Sequence, residues 1–368
     1  KAGIMPLHSW LPLAHPAAPT PASAVLSGVM IKTGLLVWLR LFPFEGMVTD
    51  WPGGLILLGL FSAFAGALIG MTQNHPKALL AYSSISQMGL AVTGVGIGLA
   101  LTGQSEAVLT MLMIFAAHHA LAKGALFLGT GLAGCATGVW QRRLLLAGLA
   151  LCGAALAGFP FTSGLAAQSG LKYLGAQTGA PWSGLLAWAL PLSGVSTMLL
   201  MIRFLVMVAP PPREAHGRWN MHMLIPWAAL VAGVLIYPGL LLVMGWAGTK
   251  ETGFYAVGII KAAFPPAIAA ALAFGVWKTR PLLAFFQRVR ILPGDIVQPV
   301  LWLLFKLKNS FNRLMQYAAR LIQGGTALMY AQGARYHGAT LEALMRQESF
   351  ALGMLLMTAL ALGMAFLL

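Results

Sequence analysis

Acidic residues are nearly absent from this chain: 8 Asp and Glu stand against 23 Lys and Arg in 368 residues, and none of the acids falls within a long apolar stretch. Charge of either sign is rare, at 8%. Ordinary soluble domains carry about 25% charged residues, so a soluble fold of this size is excluded. The two cysteines, Cys135 and Cys152, lie in apolar stretches without metal or disulfide spacing and read as small buried hydrophobes. No Cys ligand set and no nucleotide-binding loop is present, so no cofactor is expected in this chain. The two-residue alternation of an outer-membrane barrel is missing, as is the charged n-region of a signal peptide.

What the chain has in abundance is apolar sequence: 59% of its residues are hydrophobic, and its mean hydropathy is +0.81. Stretches of about 20 apolar residues, the length that crosses a bilayer, recur along it. The expected fold is all-α: a polytopic transmembrane helix bundle with two discontinuous helices, a C-terminal lateral amphipathic helix and a final anchor helix. Spans are expected at 21–42, 53–72, 76–99, 107–134, 144–157 continuing after a break at 164–174, then 182–208, 224–246, 254–276 and 350–368, with residues 1–11 as the tail of a broken helix. The domain reading is a translocation module at 1–178, further spans at 179–279, a lateral amphipathic region at 280–346 and an anchor at 347–368. Because the sequence opens on Lys1 within an apolar segment, upstream helices are expected elsewhere, in a longer protein or another polypeptide.

Charge is segregated between the loops that these spans create. One side collects Lys77, Arg142, Arg143, Arg213, Arg218, Lys278 and Arg280 against Glu214. The other holds Arg40 and Lys250 against Glu45, Asp50, Glu106 and Glu251. The positive-inside rule makes the basic side cytoplasmic. A bacterial-type inner membrane is expected, with the C-terminus on the opposite face. The +15 net charge then reports topology and contact with anionic lipids, not nucleic acid. Beyond Arg280 the pattern changes: Val300, Leu304, Leu307, Phe311, Leu314, Ala318 and Leu321 share one helix face, while Lys306, Arg313 and Arg320 recur at sevens on another. That is the signature of a helix lying along a surface.

Several cations nonetheless sit inside apolar stretches. Lys32 interrupts 22–39, and Lys123 interrupts 107–133, with His118 and His119 one turn before it. A lysine at a helix centre costs roughly 2.5 to 3.5 kcal/mol in insertion, so repeating it points to proton or cation movement. His119 and Lys123 are four apart and share a face, whereas His118 points about 100° away. Two segments read as helix breaks. One runs from Pro6 through Trp10 to Pro12. The other, Gly158-Phe-Pro160-Phe-Thr162-Ser163-Gly164, offers two hydroxyls to freed backbone groups. Breaks of this kind line binding sites in transporters, and Lys1 and Lys172 flank the two here. With no internal carboxylate, a buried Glu or Asp is expected from the upstream helices or an adjacent subunit. Lys261 and Arg203, near helix ends, have the reach to snorkel and read as structural.

At these residues the chain resembles a known family. Pro6-Leu-His-Ser-Trp-Leu-Pro12, His15-Pro-Ala-Ala-Pro-Thr-Pro-Ala-Ser-Ala24, Leu80-Ala-Tyr-Ser-Ser-Ile-Ser-Gln-Met-Gly89 and His119-Ala-Leu-Ala-Lys-Gly-Ala-Leu-Phe-Leu128 are similar to blocks of the proton-conducting antiporter-like subunits. These occur in respiratory complex I, membrane-bound hydrogenases and Mrp-type antiporters. Ser27-Gly-Val-Met-Ile-Lys-Thr-Gly34 leans toward the hydrogenase branch. The resemblance implies that Lys1 pairs with a glutamate two helices upstream, that Lys32 and Lys123 are relay lysines, and that His119 is a relay histidine. It further implies an ion-translocating subunit without redox chemistry of its own, working beside other membrane subunits and redox subunits. Cation/proton antiport, inorganic-carbon uptake and a non-conducting scaffold are the alternatives. Where the family places Lys or Glu after the second break, this chain has Gln168, with Lys172 one turn on; Phe115 stands where some members have another histidine.

Overall fold

The computed structural model describes residues 1–42, 51–101, 103–211, 219–244 and 256–278, with short pieces at 291, 294, 305–313 and 315–316. Among these residues the chain is helical, with no strand. Helices α1 (Trp10–Ala17) and α2 (Thr20–Val25) lead through a π turn (Leu26–Met30) into α3 (Ile31–Leu41). Then follow α4 (Trp51–Met71), α5 (Pro76–Ala100), α6 (Ser105–Ala133), α7 (Val139–Leu156), α8 (Ser163–Gln177), α9 (Trp182–Val208), α10 (Met221–Val243) and α11 (Ala256–Lys278). Seven described helical spans are long and apolar enough to cross a membrane, Thr20–Leu41 counting as one. The chain is a multi-pass membrane protein.

The spans fall within a few residues of the apolar stretches that predict them, with two exceptions. The first nine residues are not a helix tail: helix begins at Trp10 and runs forward. Pro12 lies in the first turn of α1, where a missing N–H removes no intrahelical bond. This start, irregular at 1–4 and a run of turns at 5–9, is held by its surroundings. Met5 N–H donates to Ser62 Oγ at 3.2 Å. A Cβ on Gly34 would meet the Ala2 Cα at 2.9 Å, so only glycine lets α3 lie against this segment. The second exception is α7, which starts at Val139, because Gln141 Oε1 takes the Gly138 N–H (3.2 Å) and caps a turn whose sequence looks like loop.

Helix α5 is the axis of the bundle. It packs against α1, α3, α4, α6, α8 and α9, and its most apolar window is wholly buried. Protein, not lipid, surrounds it, which explains why it tolerates Ser83, Ser84, Ser86 and Gln87 within one and a half turns. By contrast only 22% of the corresponding window of α10 is buried, leaving most of that helix to lipid or a neighbour. Against α4 the approach is closest: a Cβ on Gly89 would lie 2.6 Å from both the Ala63 N and the Gly59 O. Small residues permit such contacts between membrane helices.

Basic residues knit one end of the bundle. Arg142 donates to Ala136 O (3.4 Å), Val208 O (2.8 Å), Ala209 O (2.6 Å from Nη2) and Pro210 O, satisfying the carbonyls that α9 leaves at its C-terminus. Arg203 reaches Gln73 O at 2.9 Å in the turn between α4 and α5, and Lys77 reaches Ala18 O at 2.7 Å. Arg143 stacks over Trp140, 5.4 Å from the ring centroid. His75 caps α5 at the same end through Nδ1, which accepts the Lys77 N–H at 3.2 Å. Burial lowers the His75 pKa from its ordinary value, and the neighbouring Lys77 charge adds to that.

Residues 1–297 form one compact unit and 298–368 another. In the second, 305–313 are helical, with Phe305 and Leu307 exposed. The rest of the expected lateral helix and the anchor at 347–368 lie outside the described residues, as does the side chain of Lys261.

Candidate functional site

Three features bring the cations inward. The π turn comes first. In Leu26–Met30 the backbone bonds reach one residue further than in an α-helix, so Ile31 N–H bonds to Leu26 O. Such turns are frequent at functional sites. Here the Lys32 ammonium folds back along its own helix and donates to Ser27 O at 2.6 Å. Lys32 is half-buried as a result.

Next comes the serine cluster of α5. Ser27 Oγ and Ser84 Oγ lie 2.8 Å apart, with Ser27 the donor whenever Ser84 gives its one proton to Leu80 O. Ser84 Oγ donates to Leu80 O (3.1 Å). The same carbonyl accepts the Lys123 ammonium at 2.8 Å, and Lys123 also donates to Ser83 Oγ. Lys123 is 0% exposed. Polar groups therefore line the way from Lys32 to Lys123: the ammonium of Lys32 is on the Ser27 carbonyl, the Ser27 and Ser84 hydroxyls meet, and Ser84 and Lys123 share the Leu80 carbonyl. Among the described residues Glu106 is the sole carboxylate, and it is exposed in the first turn of α6. Neither lysine has a described acidic partner.

The break between α7 and α8 supplies the other end. Gly158 turns the chain at φ +83°, a conformation open to glycine, and Phe161 follows at φ +60°. Thr162 Oγ1 satisfies Phe159 O at 2.6 Å. Gln168 Nε2 approaches Leu156 O at 3.5 Å, at the limit of a hydrogen bond, and its Oε1 has no described partner. The α7–α8 interruption is thus capped by its own side chains, leaving Ser163 free to meet His118 Nδ1 at 2.8 Å. His119, 1% exposed, has no described hydrogen bond on either ring nitrogen. It lies within electrostatic reach of Lys32, Lys123 and His118.

The structure thus gathers Lys32, Lys123, His118, His119 and Ser163 in the bundle interior, with Thr162 and Gln168 at the break beside them. It does not gather Lys1 or Lys172. Lys1 is exposed and lines a cavity of about 230 Å³ with Trp10, Leu26 and Met30, against the π turn. Lys172 is half-buried on α8, one turn past Gln168. Pro6 lies exposed in the turns that precede α1, and Pro160 is buried in the α7–α8 interruption. Sequence reasoning missed Ser27, Ser83 and Ser84 as site residues. The available signal was the run of hydroxyls and an amide at 83–87 in a helix otherwise apolar.

Residues 1–188, just over half of the chain, match the family model described as NADH:quinone oxidoreductase/Mrp antiporter, TM. The chain belongs to this family. Among relatives, hydrogenase-4 component B of Escherichia coli is 40% identical over 140 residues, covering 36% of this chain and 21% of that protein. Formate hydrogenlyase subunit 3 of the same organism is 37% identical over 136 residues, covering 35% and 22%. Antiporter subunit mnhA2 of Staphylococcus saprophyticus is 36% identical over 184 residues, covering 45% and 23%. The matched segments thus span between a fifth and a quarter of these relatives. A chain of the Mrp complex of Dietzia sp. DQ12-45-1b shares the fold, with a TM-score of 0.63 at 24% identity, over 98% of this chain and 39% of that one.

Proposed function

We propose that this chain conducts protons along its buried row of Lys and His as an antiporter-like subunit of a larger membrane complex. The observation that carries the reading is the close polar row from Lys32, bonded to the Ser27 carbonyl, through the Ser27–Ser84 hydroxyl pair to the Leu80 carbonyl that Ser84 and Lys123 share. The two hydroxyls are groups able to exchange protons, while the Ser27 and Leu80 carbonyls only accept and hold the two ammonium groups in place. His119 and the His118–Ser163 pair extend the row toward the α7–α8 interruption. Gln168 has no proton to release there, so Lys172 is the ionisable group past the break.

A row of cations without internal acids needs an external counter-charge. The exposed Lys1, in its cavity beside Trp10, suits a carboxylate from a neighbouring subunit or another part of the same polypeptide. Redox chemistry would reside in other subunits; the relatives named as a hydrogenase component and a formate hydrogenlyase subunit support a place in a multi-subunit complex. Cation/proton antiport is the second reading, favoured by the similarity to antiporter subunit mnhA2. The basic end, carrying Arg142, Arg143 and Lys77, belongs on the cytoplasmic side beside anionic headgroups.

The test is proton movement by the assembled complex in sealed vesicles, read with a pH-sensitive fluorophore. Lys32→Ala and Lys123→Ala should each abolish it with the complex still assembled. Undiminished proton movement in both variants leaves a scaffold role. Dependence on sodium without redox turnover selects the second reading.

A further inference from the structure

His15 is 0% exposed on α1, and neither Nδ1 nor Nε2 has a hydrogen-bond partner among the described residues. Its ring stacks on Phe127 of α6, with centroids 4.3 Å apart and planes at 17°. A buried polar group left unbonded is costly, and native structures rarely carry one without water or a functional reason. A phenyl ring would fill the same stack without that cost.

Its position relative to the row is fixed from three directions. Phe127 is four residues from Lys123 on α6, one turn or roughly 6 Å along the axis. Thr20, further along the chain from His15, packs against Gly131, another turn toward the basic end. Lys77, in the first turn of α5, donates to Ala18 O three residues from His15, while Leu80, one turn inward from Lys77, carries the carbonyl that binds Lys123. Ser23 Oγ holds the His15 carbonyl at 3.1 Å and so fixes the backbone that bears the ring. The imidazole therefore stands between the basic end and the buried lysine. The charged groups facing it are Lys123 on α6 and Lys77 on α5, both within electrostatic reach; no described carboxylate does so.

We propose that His15 carries protons between Lys77, at the basic end of the bundle, and Lys123, as a branch running along the helices into the lateral row. The inference rests on the proton-row reading above and adds the residue through which that row exchanges with one membrane face. A proton taken up near Lys77 passes to one ring nitrogen; the other releases its proton toward Lys123. The proton count is unchanged after each passage, and the imidazole is left in its other tautomer, which a turn of the ring or a proton exchange resets before the next.

The experiment uses the assembled complex in sealed vesicles, comparing wild type with His15→Phe, Lys32→Ala and Lys123→Ala at several pH values on the basic side. His15→Phe should lower proton movement at least tenfold and flatten its dependence on that pH, while the complex stays assembled. A loss of rate that keeps the wild-type pH profile indicates packing alone and overturns the proposal. Wild-type behaviour of His15→Phe, with the lysine variants inactive, removes the branch and leaves the row. Wild-type behaviour of all three variants removes both. Should His15→Phe fail to assemble, His15→Gln, polar but without a proton to exchange near neutrality, is read the same way.

Discussion

Replacing Lys123 by methionine separates the cost of this lysine from its use. The ammonium is fully buried and bonded to Leu80 O and Ser83 Oγ. Placing a lysine at a helix centre costs roughly 2.5 to 3.5 kcal/mol. Two charge-assisted bonds, at about 1.5 to 3 kcal/mol each, offset that. Methionine removes both sides of the balance at nearly constant volume, a change that in cores costs under about 1.5 kcal/mol. The acceptors are not stranded. Leu80 O keeps the Ser84 hydroxyl at 3.1 Å, and the Ser83 hydroxyl can turn to the carbonyl of the preceding turn. Lys123→Met should therefore melt within about 1.5 kcal/mol of wild type, followed by thermal unfolding of the detergent-solubilised complex, and yet move no protons in vesicles. Lys123→Ala, which opens a cavity as well, should lose about 2 to 5 kcal/mol. A Lys123→Met protein destabilised by more than about 3 kcal/mol refutes the reasoning, because it makes the lysine a structural clamp. So does one that still translocates.

Other outcomes follow from the same geometry. Gly89→Leu forces a side chain onto the backbone of α4 at Gly59 and Ala63; thermal unfolding should show a loss of at least about 1 to 3 kcal/mol, the usual range for overpacking. Arg142→Ala frees the carbonyls of Val208, Ala209 and Pro210. Amide exchange near the end of α9 should quicken by roughly tenfold, about 1.4 kcal/mol, and Arg142→Lys should restore only part of it. The His75 cap holds the neutral ring, with its pKa lowered mainly by burial and further by Lys77. Its stabilising effect is complete above the unfolded value, about 6.5, and is lost as pH falls from there through the lower folded value. Protection of the Lys77 amide, taken relative to its intrinsic exchange rate at each pH, should therefore fall on acidification below about pH 6.5, and His75→Asn, which keeps an acceptor, should remove that dependence.

The span positions were legible because bilayer thickness and hydropathy together leave few ways to place an apolar helix. Where tertiary contacts outweigh local pattern, the reading slipped. The first nine residues look apolar enough for helix, yet Ser62 and the space above Gly34 hold them in an irregular, turning path. The start of α7 looks like a basic loop until Gln141 caps it. His119 and Lys123 shared a face by arithmetic, while Ser27, Ser83 and Ser84 passed unnoticed, because a serine in a membrane helix usually bonds its own backbone.

Composition and order of residues alone determined that this chain is a bundle of membrane helices, which end is basic, and that unpaired cations sit within it. Those properties depend on local pattern, and the bilayer reads local pattern directly. Which groups touch was decided only by packing. Residues 43 apart, Leu80 and Lys123, meet because α5 lies at the centre of the bundle with α6 against it. A π turn then aims Lys32 at Ser27 O. Contacts between distant segments depend on how helices pack against one another, and no periodicity within a single helix encodes that.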